Sequence, residues 1–221
     1  MRRLIVTSVG LLVCGTACVT HRPAERPSPQ AEPPRHRPPS FLRPGPPPSA
    51  YAQPMPADPA WFPRGGRISA RWTTVVVHHS ATAVGGARSF DRTHRAKGWD
   101  ELGYHFVIGN GSDTPDGAVE VGSRWHKQKH GAHCKTPDNY FNEHGIGVCL
   151  VGDFTRNRPT PRQLASLERL VAFLCDRCRI SPDRVTTHGQ VTHKTACPGT
   201  NFPIGSLRRA VAFSAQLSSM R

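Results

Sequence analysis

Proline is the residue that most constrains this chain. Most of its 22 prolines fall between His21 and Pro59, in the run HRPAERPSPQAEPPRHRPPSFLRPGPPPSAYAQPMPADP. Proline fixes φ and donates no backbone hydrogen bond, and few apolar side chains accompany it here. Such a segment cannot bury enough surface to offset the entropy of folding. It is expected to be an extended, partly polyproline tether, reaching on the order of 100 Å at ~3 Å per residue. Any core must therefore come from the rest of the 221 residues. The organisation expected is a leader over 1–18, a Pro-rich disordered linker over 19–60 and one folded domain over 61–221.

The leader reads MRRLIVTSVGLLVCGTACVT. Arg2 and Arg3 supply a positive start, and Leu4 to Val13 an apolar stretch too short to span a bilayer. Gly15-Thr16-Ala17 then places small residues before Cys18, the pattern of an exported chain. A cysteine after small residues resembles a bacterial lipoprotein signal, with a lipid on Cys18 anchoring the protein to a membrane. The expected location is the cell envelope, as a periplasmic or outer-membrane lipoprotein, or otherwise as a secreted protein.

The formal net charge is +14. Nucleic acid is the usual partner for such a charge, but no aromatic and basic platform of the kind that holds single strands is present. For an exported chain the expected polyanion is the cell envelope, and nucleic acid is not expected as a partner. Of seven cysteines, Cys14 and Cys18 belong to the leader. Cys134, Cys149, Cys175, Cys178 and Cys197 remain. Five thiols in an oxidising compartment leave at least one unpaired. A disulfide among Cys134, Cys149, Cys175 and Cys178 is open, with no pairing fixed.

In the folded part, Val75 to Val77 is a fully apolar strand, as expected at the centre of a sheet covered on both faces. Residues 86–99 form a polar surface helix, 103–111 a strand and turn, and 117–122 its hairpin partner. Residues 145–154 form a further strand. Thr160, Pro161 and Gln163 mark a helix start, followed by Leu164, Leu167, Val171 and Leu174 at helical spacing. Residues 183–188 form a short strand, and 205–217 a last helix packing through Leu207, Val211 and Leu217. Strands interleaved with helices predict an α/β domain with a mixed sheet.

Two of the strands end in histidine, at His78 and His188, and Cys197 follows in THGQVTHKTACPG. Two imidazoles and a thiol from separate segments suit zinc and leave a fourth position open, the arrangement of a catalytic site. Such zinc lowers the pKa of a water from ~16 towards ~7. With twelve histidines in the chain, spacing alone is of modest specificity.

The segments VVVHHSAT, GWDELGYHFVIGNG, GAHC, NEHGIGVCLVGDF and HGQVTHKTACPG occur in this order. Together they resemble the zinc-dependent N-acetylmuramoyl-L-alanine amidases, the group that includes phage lysozyme-type amidases and peptidoglycan recognition proteins. The likeness covers about residues 72 to 200. It implies an α/β fold in which a central mixed β-sheet is flanked by helices, with a zinc-containing groove on one face. It implies His78, His188 and Cys197 as ligands of Zn2+, and His79 as a packing residue on the opposite face. Tyr104 matches a tyrosine beside the attacking water. Lys194 and Thr195 are both candidates to face the metal, because one more residue than usual separates the last His from Cys197. His133, Asn142 and Arg124 are expected to touch substrate, Asn142 equally to anchor its loop. Lys127 is a further basic residue expected along the groove. A related cytosolic branch carries a Glu base where Cys149 stands, so Cys149 is expected to pack. His105, His126, His130 and His193 are expected at the surface or groove.

The activity implied is hydrolysis of the amide between N-acetylmuramic acid and L-alanine of peptidoglycan by a zinc-activated water, in a monomer. The alternative is a recognition module that holds peptidoglycan without cutting it.

Overall fold

The computed structural model describes residues 57–220. The expected leader, Cys18 with its lipid, and residues 19–56 of the expected linker lie outside the described residues. In chain order the elements are β1 (Thr74–His79), α1 (Ala87–Ala96), β2 (Phe106–Ile108), β3 (Val119–Val121), α2 (Ser123–His126) and α3 (Tyr140–Glu143). They continue with β4 (Gly145–Leu150), α4 (Pro161–Cys178), β5 (Val185–Thr187), α5 (His188–Thr192) and α6 (Ile204–Ser219).

The five strands form one sheet in the order β3-β2-β4-β1-β5. β1 runs parallel to β4 and β5, β2 runs parallel to β4, and β3 closes an antiparallel hairpin on β2. The fold is thus the mixed α/β sheet expected. β1 and β4 are buried at all six positions each, as strands covered on both faces must be.

Alternation divides each strand between two faces. Val75, Val77, Ile146, Val148, Phe106 and Ile108 belong to the large apolar core, with Leu167, Leu170, Val171 and Leu174 from α4 and Leu207 and Val211 from α6. Each such side chain, fully buried, contributes roughly 1.5–3 kcal/mol. Val107, Cys149 and Val151 turn the other way and join Leu102 in a small second cluster, flanked by Ala87, Phe90 and Tyr104. The register aligns His78 with Cys149, and Cys149 with Val107. His78 therefore belongs to the second face.

α4 starts as its sequence dictates. Pro161 occupies its first turn, the Thr160 hydroxyl accepts from the Gln163 N–H at 3.0 Å, and Gln163 Oε1 accepts from the Thr160 N–H at 3.1 Å. Gln163 Nε2 also donates to the Val151 carbonyl at 2.9 Å, tying the helix start to the end of β4. Leu164 is only half-buried, and Leu170 and Phe173 complete the stripe. A helix lying on a sheet buries a band wider than two lines of residues. In α6, Leu207 and Val211 are buried and Leu217 is half-buried.

Inside the stretch expected as linker up to residue 60, Asp58 caps a short 3-10 turn at Pro59–Trp61, so residues 58–60 belong with the folded part. Trp61 is buried, and its carbonyl accepts from Trp125 Nε1 at 2.7 Å. All five described cysteines are free thiols, so no disulfide joins Cys134, Cys149, Cys175 or Cys178. Cys175 and Cys178 lie within the continuous helix α4. No described helix is long and apolar enough to cross a membrane.

Candidate metal centre

β1 and β5 are neighbours and parallel, with Val77 aligned to Thr187. The residues that follow, His78 and His188, therefore emerge side by side at the carboxyl end of the sheet, where open α/β sheets carry their sites. Their rings lie 4.9 Å apart. Thr187 ends β5 and caps α5 by accepting from the Gln190 N–H at 3.2 Å, which fixes His188 at the start of the helix.

Cys197 arrives from the loop after α5. Its carbonyl accepts from the Gly189 N–H at 2.7 Å. A Cβ on Gly189 would stand 2.7 Å from the Thr195 carbonyl and 2.9 Å from that of Cys197, so the loop closes because this residue is glycine. The Cys197 sulfur accepts from the His79 N–H at 3.4 Å and lies 3.8 Å from His78 Nδ1. The ligand atoms of His78, His188 and Cys197 all lie within 4.8 Å of one another.

Electrostatics suit a cation brought from outside. Burial, then the imidazoles of His133, His188 and His79, hold His78 well below the usual histidine range. Burial, then His79, lowers His188. Burial pushes the Cys197 thiol up to about 11, against the opposing hydrogen bond from the His79 N–H. Without an ion the trio is uncharged, with imidazole lone pairs available. Binding a divalent cation would convert the thiol to thiolate and release its proton. Two imidazoles and one sulfur with no fourth protein ligand among the described residues is a donor set that fits zinc.

Tyr104, half-buried just before β2, sets its ring 5.2 Å from that of His78. Burial pushes its phenol well above the usual range, so it stays protonated and able to donate. His94 of α1, which sequence reasoning passed over, backs it: its ring lies 5.7 Å from that of Tyr104, and its Nδ1 accepts from the Gly103 N–H at 3.0 Å. Nothing distinguishes His94 in a polar helix sequence. Lys194 and Thr195 are both exposed beside Cys197. The Thr195 hydroxyl accepts from the Cys197 N–H at 3.1 Å.

Three residues expected to touch substrate are committed inside the protein instead. Arg124 is buried. Its Nε donates to the Leu102 carbonyl and its Nη1 to the His130 carbonyl, both at 2.7 Å, and its Nη2 pairs with Asp100. A guanidinium buried this deeply must be paired, and it ties loops together. Asn142 is also buried; its Oδ1 accepts from the N–H groups of His133 and Cys134, both at 2.8 Å, leaving the loop-anchoring role. His133 lies behind His78 with both ring nitrogens bonded, Nδ1 to His78 Nε2 at 3.0 Å and Nε2 to the Gly145 carbonyl at 3.2 Å. Lys127 is exposed and pairs with Glu101 at 2.9 Å.

His105 is likewise not at the surface: it is fully buried, with Nδ1 accepting from the Gly147 N–H at 2.9 Å. His79 packs against Phe154, rings 5.9 Å apart, and accepts from its N–H. Cys149 is fully buried in the second cluster.

The profile of a protein family described as N-acetylmuramoyl-L-alanine amidase matches residues 69–200. The endolysin of Escherichia phage T7 is 35% identical over 133 residues, 56% of this chain and 78% of the phage protein. An N-acetylmuramoyl-L-alanine amidase of Sus scrofa is 33% identical over 121 residues, 54% of this chain but 18% of the pig protein's length. Among solved structures, the endolysin amidase LysCS of Clostridium intestinale superposes with a TM-score of 0.56 at 25% identity, covering 68% of this chain and 91% of that one.

Proposed function

Because the chain belongs to the N-acetylmuramoyl-L-alanine amidase family, we propose that it hydrolyses the amide between N-acetylmuramic acid and the L-alanine of the peptidoglycan stem peptide. The observation that carries this is the convergence of His78, His188 and Cys197 within 4.8 Å, the residues that would hold zinc. When bound, zinc supplies a Lewis acid for the amide carbonyl and acidity to an attacking water.

The rest falls to the chain's own side chains. The Tyr104 hydroxyl donates to the carbonyl oxygen as negative charge develops there, a contact stronger in the transition state than in the ground state. Thr195 steadies the Cys197 loop through its hydroxyl. Lys194, exposed beside it, is the cation available to an anionic substrate. Water adds to the carbonyl carbon, the carbon–nitrogen bond breaks, and the alanine nitrogen leaves with a proton as an amine.

The leader-like start and the net charge of +14 support a location in the cell envelope. There a lipid on Cys18 and the Pro-rich tether would hold a monomeric enzyme at high effective concentration near the wall.

Digestion of purified sacculi, followed by mass spectrometry, tests the activity. Wild type is expected to release free stem peptides, and Cys197→Ala to lose that release by at least ~100-fold, more than the loss of an outer-shell partner brings. Cleavage within the glycan strand would refute the amidase. Binding of sacculi by a zinc-loaded wild type without any cleavage would instead establish the recognition module.

A further inference from the structure

We infer that His133 is a positioning residue for the metal centre, fixing the tautomer of His78 so that Nδ1 is the nitrogen turned to the metal. The inference deepens the zinc site proposed above and rests on it.

The direction of the hydrogen bonds follows from one fixed end. The Gly145 carbonyl can only accept, so the His133 nitrogen facing it at 3.2 Å, Nε2, carries the proton. A neutral imidazole has a single N–H, and no carboxylate among the described residues bonds to either ring. His133 Nδ1 is therefore an acceptor. The atom 3.0 Å from it is His78 Nε2, which must then be the donor. This leaves the lone pair of His78 on Nδ1, and Nδ1 is the atom 3.8 Å from the Cys197 sulfur. The chain of bonds ends on the metal-ligating atom.

The His133 ring is also seated by shape. A Cβ on Gly131 would stand 2.3 Å from His133 Cδ2, and a Cβ on Gly147 would stand 2.4 Å from the same atom. Two glycines, from different segments, thus form a slot that only an uncluttered backbone can line. The Asn142 side chain holds the backbone on either side of the ring, accepting from the His133 and Cys134 N–H groups. Asn139 Oδ1 in turn accepts from Asn142 Nδ2 at 2.8 Å. A buried histidine serving only as filler requires neither the slot nor the directed pair of bonds. Partners of this kind orient metal ligands and tune their basicity.

The test uses the full chain and two readouts that need no substrate. In zinc-free wild type, long-range 1H–15N spectra are expected to show His78 protonated at Nε2 and bare at Nδ1. In zinc competition against a chromophoric chelator, His133→Ala is expected to bind zinc ~10–100-fold more weakly. His133→Asn, whose Oδ1 can replace the acceptor, is expected to recover most of that loss. A proton found on His78 Nδ1 overturns the inference, as does wild-type zinc affinity in a folded His133→Ala. If the alanine variant unfolds, the wild-type spectrum decides. Zinc binding and the Nε2–H tautomer without release of stem peptides would count against the amidase activity and leave the role of His133 standing.

Discussion

The two faces of the sheet are built by different rules. On the face covered by α4 and α6, Val75, Val77, Ile146 and Val148 meet Leu167, Leu170 and Val171 in a continuous apolar layer. The contacts among these side chains are undirected, and close-packed volume holds them. On the other face the apolar cluster shrinks to Leu102, Val107, Cys149 and Val151, and buried imidazoles take the remaining space. His78, His105 and His133 are held by specific partners at 2.9–3.2 Å. A layer of close-packed apolar contacts tolerates substitutions of similar volume. A chain of oriented polar groups does not, because each unpaired member bears its full desolvation cost.

The largest contrast is expected from Tyr104→Phe. Removing one donor aimed at a developing oxyanion typically costs ~10²–10³ in kcat. The expected result is a loss on that scale with zinc content and thermal stability near wild type. A drop smaller than ~10-fold would assign oxyanion stabilisation elsewhere, exposed Lys194 being a cationic candidate.

Two consecutive residues of β4 then separate the faces directly. Gly147 points its missing side chain at His133, whereas Ile146 belongs to the apolar core. Gly147→Ala is expected to push His133 off its bond to His78 and weaken zinc binding ~10–100-fold. Ile146→Val is expected to cost ~0.5–1.5 kcal/mol of stability and leave zinc affinity unchanged. Chelator competition and denaturant titration on both variants check this. Equal effects on metal affinity at the two positions would erase the distinction between the faces.

The same contrast explains what the sequence shows and what it hides. The apolar face is periodic, so β1, the β2–β3 hairpin and the α4 cap are readable from local pattern. The candidate trio is readable because His78 lies at the end of a strand, His188 directly follows one, and several motifs stand in family order. The polar network behind it is not. Arg124, Asn142 and His133 look like substrate contacts because they are polar and near the motifs. Most of their bonding partners, among them those on Leu102, His130, Cys134 and Gly145, are backbone groups, and a backbone group has no signature in a residue's identity. His105 is similar: it reads as a polar strand residue, but its partner is the N–H of Gly147. Nothing in the sequence marks Gly131 and Gly147 as the walls of the slot that the His133 ring fills.

The smallest expected effect lies on the apolar side, where one group breaks the local rule. Glu168 of α4 borders a cavity of about 660 Å³ between α4 and α6, beside Ala165, Ala172 and Ser214. Burial alone raises its carboxyl above the usual range, whereas the imidazoles across the sheet have directed partners. A folded-state pKa above the unfolded one means that ionisation opposes folding. The penalty is fully present above the folded value and vanishes below the unfolded one. Glu168→Gln is therefore expected to raise stability at neutral pH by ~0.5 kcal/mol, the scale of a partly exposed position. The advantage should close as pH falls below ~4.3, where the unfolded carboxyl also takes up its proton. Thermal unfolding of wild type and variant across that range measures it. A gap that is constant with pH would show that Gln acts through packing and not through relief of a buried charge.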